Sequence, residues 1–125
     1  MPSSDDPGAL LSRSYALPAG PRVRLRLSRR SDRTGLRELL AQRGVDASDL
    51  ELERLVRYDP WRRVTICACA PLGGVETIIG VGAIDLTDEA EPDTLVVNER
   101  LTDGLAELLH EALVQRARIH ARHVA

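Results

Sequence analysis

Between Val96 and Leu113 the sequence reads VVNERLTDGLAELLHEAL: an apolar pair, a polar kink and then a helical repeat with one glycine near its start. The first N–H groups of a helix have no intrahelical partner and lie at the positive end of its dipole, so a glycine there lets an anion come close. The stretch Leu101 to Ala106 is therefore a candidate phosphate cradle. The same residues also read as a plain helix start. In that reading Thr102 or Asn98 caps the helix, Asp103 complements its dipole, and Gly104 packs against a sheet.

Other chemistry-bearing residues are sparse. Cys67 and Cys69 fall in TICACAP, where strand alternation points both to one face; a disulfide between them would be strained, and two thiols alone do not make a structural zinc site. Buried, reduced cysteines are the expectation. His120 and His123 stand three apart near the C-terminus with Arg116, Arg118 and Arg122, a basic last turn that suits the helix dipole, and His110 reads as a surface residue. No metal site is expected. Asp85 and Glu99, each at the end of an apolar run, are conceivable general bases by position alone. Trp61, between Pro60 and Arg62, reads as an anchor or as a lid.

The elements that must position these groups follow from hydrophobic period. Residues 1–21 are rich in Ser, Asp, Pro and Gly and read as a flexible N-terminal tail, leaving 22–125 as one domain. RVRLRL alternates Arg22, Arg24 and Arg26 with Val23, Leu25 and Leu27, predicting a strand with exposed arginines and a buried apolar face. A helix follows, with Ser31 or Asp32 at its start, Leu36, Leu39 and Leu40 inward and Gly44 at its end. A second places Leu50, Leu52, Leu55 and Val56 near one side and stops at Pro60. Two strand-like runs flank Pro71-Leu72-Gly73-Gly74, a hairpin signal. Thr94 to Val97 reads as a short strand, and Leu101, Leu105, Leu108, Leu109, Ala112 and Leu113 give an amphipathic helix. The order strand, helix, helix, strand, strand, strand, helix describes an α+β domain with a mixed, largely antiparallel sheet and helices packed on it.

Composition narrows the function classes. The 125 residues carry 17 basic and 19 acidic side chains, a formal net charge of -2, so the basic bias of a nucleic-acid binder is missing. All the basic residues are Arg, and without Phe the rings are Trp61, Tyr15 and Tyr58, which leaves little platform for base stacking. No apolar run approaches a membrane span, and the first residues lack the order of a signal peptide, so a cytoplasmic location is expected.

Element order and local strings together resemble the GNAT superfamily of N-acetyltransferases. Such domains open with a strand ending in an Arg-rich string and a Ser/Asp-capped helix, as RVRLRLSRRSDRTGLRELL does. Their diagnostic segment is a strand followed by Gln/Arg-x-x-Gly-x-Gly/Ala opening a long helix. The resemblance implies that these loop amides bind the pyrophosphate of acetyl-CoA and that the strand backbone pairs with the pantetheine arm. Laid on that segment, Val96 and Val97 end the strand, Gly104 is the motif glycine and Ala106 takes the Gly/Ala position. Leu101 stands where Gln or Arg is usual, Arg100 is displaced from it by one, and Asp103 sets a carboxylate beside the diphosphate. The implied function is acyl-CoA binding, with acetyl transfer to an amine acceptor. The alternative is a non-catalytic GNAT-like regulatory or assembly module with a degenerate loop. The family continues after this helix with a further strand, a helix bearing a general-acid tyrosine and two closing strands, whereas this sequence ends at Ala125. A homodimer, or a second polypeptide supplying the other wall of the cleft, is therefore expected.

Overall fold

The computed structural model describes residues 14–18, 22–57, 62–86, 93–96 and 104–124. They form β1 (Ser14–Ala16), β2 (Arg22–Leu27), a single 3-10 turn (Arg30–Asp32), α1 (Arg33–Gln42), α2 (Asp49–Val56), β3 (Arg63–Leu72), β4 (Val75–Asp85), β5 (Asp93–Val96) and α3 (Leu105–Val124). The five strands lie in the order β1-β2-β3-β4-β5, and every neighbouring pair is antiparallel. The fold is α+β, in the expected element order with one strand added at its front. That strand, β1, falls inside the segment expected to be a tail. Tyr15 lies opposite Val23, and Leu17 just beyond is buried, so a three-residue piece too short to show a period is held by the edge of β2.

Each face of the sheet carries its own layer. Val23 and Leu25 from β2, Val64, Ile66, Ala68 and Ala70 from β3, and Ile79 and Ile84 from β4 pack with Leu105, Leu109, Ala112 and Leu113 of α3. Alternation sends Cys67, Cys69 and Val81 to the opposite face, against Leu36 and Leu39 of α1 and Leu52 and Val56 of α2. A register shift at Ala68/Cys69 leaves Ile79 without a partner on β3, and this bulge lets both Ile79 and Val81 reach buried layers on opposite faces. β3 and β4 are joined through Gly73 and Gly74, whose φ values of 58° and 80° are those a two-residue type I′ hairpin demands.

The helices show where sequence patterning is too coarse. α1 ends as expected at Gly44, with Val45 N–H donating to the Leu40 carbonyl and Gly44 N–H to that of Ala41, a Schellman closure. Gly35 lets it lie against β4, since a Cβ there would sit 3.0 Å from Ile78 Cδ1. α2 starts at Ser48, whose Oγ accepts from Glu51 N–H at 3.2 Å, and ends at Val56. Leu50, expected on its apolar side, is 64% exposed: an eight-residue helix buries Leu52 and Val56, one turn apart, and Leu50 points away.

Candidate functional site

The expected cofactor site falls where β5 gives way to α3. β5 pairs with β4 from Asp93 opposite Ala83 to Val96 opposite Gly80. Among the described residues it is the last strand of the sheet, so its outer backbone edge has no strand partner there. Gly104 precedes α3 at φ 85°, a conformation that costs other residues about 1–2 kcal/mol. Its carbonyl accepts from Leu108 N–H at 3.1 Å, which makes it the helix N-cap. Having no side chain, this cap satisfies none of the amides that follow it. The N–H groups of Leu105, Ala106 and Glu107 thus open a 20-residue helix at the positive end of its dipole.

The expected packing role of Gly104 against the sheet does not hold, because a Cβ built there meets no heavy atom within 4 Å. The glycine is exposed and the space over it open, the geometry an approaching anion uses. Ala106 instead turns partly into the core beneath α3. One feature opposes an anion: Glu107, in the first turn, sets an exposed carboxylate near the same amides.

Of the six residues singled out in the sequence, Val96, Gly104 and Ala106 are thus placed, at the end of β5 and the start of α3. Val97, Arg100 and Leu101 lie outside the described residues, as do Thr102, Asp103, Asn98, Glu99, Pro60 and Trp61. α3 begins at Leu105 rather than at Leu101. Asp85 is exposed at the far end of β4, paired in register with Arg63, five residues along from Gly80 and hence about 17 Å from the Val96 position. It therefore lies apart from the amides at the start of α3. Among the described residues no group of three or more His, Cys, Asp or Glu is placed to hold a metal ion.

A second polar centre, under α1, was hidden by the sequence pattern. Arg26 was expected to be exposed with Arg22 and Arg24; those two are, but Arg26 reaches under the 3-10 turn and forms a two-pronged ion pair with Asp32, both contacts 2.7 Å. Asp32 is only 5% exposed. It also accepts from Arg29 N–H at 2.8 Å, so its carboxylate braces the turn rather than capping α1. Burial alone would raise the Asp32 pKa, but the hydrogen bonds from Arg26 and Arg29 N–H outweigh it and hold the carboxyl below its ordinary value. Cys67 lies 3.9 Å from Asp32, and burial first, then that negative charge, pushes its thiol far above the usual range. Cys69 is raised as well, mainly by burial. Both cysteines are free, as expected, and neither ionises at neutral pH to act as a nucleophile. A groove of about 350 Å³ beside α1 exposes this centre between Arg29, Glu38 and Glu76. The signal for the pair was present as an Arg and an Asp six residues apart across a tight turn, but each had a simpler explanation.

No protein-family model matches the sequence, and no curated protein matches it. Among solved structures, the crystal structure of the GNAT domain of S. lividans PAT is similar, with a TM-score of 0.69 and 21% sequence identity over 86% of this chain and 72% of that one. At that identity the likeness speaks for architecture alone. The chain folds as a GNAT-like α+β domain.

Proposed function

We propose that this domain binds acetyl-CoA or a related acyl-CoA at the β5–α3 junction and transfers the acyl group to an amine. The observation that carries the reading is Gly104, which caps α3 at φ 85° with open space above it and leaves the following amides to a ligand. The GNAT-like fold supports the same placement. In it, the amides of Leu105 and Ala106, with Arg100 and Leu101, hold the diphosphate, and the outer edge of β5 at Val96, together with Val97, pairs with the pantetheine arm. The amine nitrogen bonds to the acyl carbon, the carbon–sulfur bond breaks, and the proton lost by the amine returns to the thiolate by way of a base. The domain works in the cytoplasm; no described helix is long and apolar enough to cross a membrane.

Glu107 favours a second reading, a non-catalytic regulatory or assembly module, because its carboxylate stands in the first turn of α3 where a diphosphate would be held. Calorimetric titration with acetyl-CoA and its desulfo and dephospho analogues separates the two. Saturable binding that weakens without the phosphate supports the first, and no heat with any of them supports the second. Among the described residues the outer edge of β5 has no strand partner, which favours a homodimer or a complex in which another chain pairs with it. Light scattering should then report at least twice 13.7 kDa, and a monomer at high concentration would refute that.

A further inference from the structure

At the end of the sheet remote from the cofactor junction, four arginines converge from two elements. Arg54 lies in the last turn of α2 and Arg57 just after it, while Arg62 and Arg63 lead into β3. They line one groove of about 360 Å³, together with Asp85 from the end of β4. The strand ends are fixed to each other: Arg63 is in register with Asp85, and Leu86 N–H donates to the Arg62 carbonyl at 2.7 Å. The guanidinium groups are therefore carried by anchored backbone.

Several arginines of the other described elements are paired with carboxylates. Arg26 holds Asp32, and Arg33 and Arg37 share Asp49. Among the described residues Arg54, Arg57, Arg62 and Arg63 form no ion pair, and the Nε of Arg63 is buried without a hydrogen-bond partner. Among the described residues the lining carries four arginines and one carboxylate, Asp85. Like charges crowded into one groove repel, so the described lining is stabilised by an anion held among these guanidinium groups.

We infer that this groove is a binding site for a phosphate group, in the form of a phosphate monoester of a soluble small molecule. The chemistry separates it from a carboxylate site. A carboxylate offers two oxygens in one plane and a single charge, which one guanidinium fork satisfies. A phosphate monoester offers three oxygens in a tetrahedral array and nearly two charges at neutral pH, which suits forks approaching from α2 on one side and β3 on the other. A dianion would also offset more of the positive charge of the described lining than a monoanion does. The groove lies about 17 Å along β4 from the Val96 position, where the acyl-CoA reading sets the pantetheine arm.

The test is thermal unfolding of the full chain in glycerol phosphate, inorganic phosphate or sodium chloride, all at one ionic strength, followed by titration calorimetry with the best anion. The expected result is a midpoint raised by both phosphates above chloride, with glycerol phosphate at least as effective. Binding should weaken at least tenfold in Arg62→Gln/Arg63→Gln and in Arg54→Gln/Arg57→Gln. Arg54 and Arg57 are exposed, so the second pair keeps the fold intact. Arg22→Gln/Arg24→Gln, at exposed positions on β2, should bind like the parent. Phosphate no better than chloride, or equal weakening in the β2 control, would overturn the site. Binding to phosphatidic acid vesicles without binding to glycerol phosphate would overturn the soluble-ligand assignment.

Discussion

The face of the sheet under α3 and the face under α1 and α2 are closed by different means. Beneath α3 the layer is aliphatic throughout, with Leu25, Ile66, Leu105, Leu109 and Leu113 all at 0% exposure. Beneath α1 a smaller apolar cluster, including two cysteines, adjoins the buried Arg26–Asp32 pair. The dry face gains from area removed from water, roughly 1.5–3 kcal/mol for each fully buried side chain. The other face gains a fixed geometry, since Asp32 ties β2 to the turn that launches α1, and it carries a desolvation cost that must stay compensated.

Substitutions can break or sharpen that contrast. The largest effect is expected from Leu25→Asp, which places a charge in the dry layer where nothing can pair with it; cooperative unfolding by circular dichroism should disappear. A folded Leu25→Asp variant would show that the α3 face is not closed as described. Next comes Asp32→Ala, which strands Arg26 half-buried and should cost about 3 kcal/mol in urea denaturation. Combining it with Arg26→Met should recover much of that loss, whereas an additive pair would mean that the two side chains do not act together.

Acid sharpens the same contrast. Because the folded-state pKa of Asp32 is depressed, its contribution is fully present above the unfolded value of about 3.9 and is lost as the pH falls through the lower folded value. The parent should lose more stability between pH 5 and pH 2 than Arg26→Met/Asp32→Leu does; parallel acid profiles would count against the pair. A smaller change is expected at Gly104→Ala, about 1–2 kcal/mol from the positive φ alone. Arg24→Ser, at an exposed strand position, should shift stability by less than about 0.5 kcal/mol.

The two faces were also unequally legible. The α3 face follows period: alternation in RVRLRL and the leucine spacing after Gly104 located its strand and helix, and Gly73-Gly74 located the hairpin between. The α1 face departs from period at the residue that matters. Arg26 occupies an outward position by alternation, and only the 3-10 turn folding back over β2 turns that position into a half-buried one. Asp32 looked like a helix cap because capping and ion pairing use the same residue types. β1 was missed because three residues carry no period, and its partner edge exists only once β2 has joined the sheet. At the β5–α3 junction the glycine and its strand are legible, but the left-handed φ of Gly104 and the space above it depend on how α3 meets β5.

The most direct test of the central claim is an amide chemical-shift titration of the uniformly labelled chain with acetyl-CoA. The largest perturbations are expected at Gly104, Leu105, Ala106 and Glu107 and along Asp93 to Val96, with those on the helix start fading when the diphosphate is absent from the ligand. No perturbation at these amides under saturating acetyl-CoA, or perturbations confined to the arginine groove between α2 and β3, would contradict the claim.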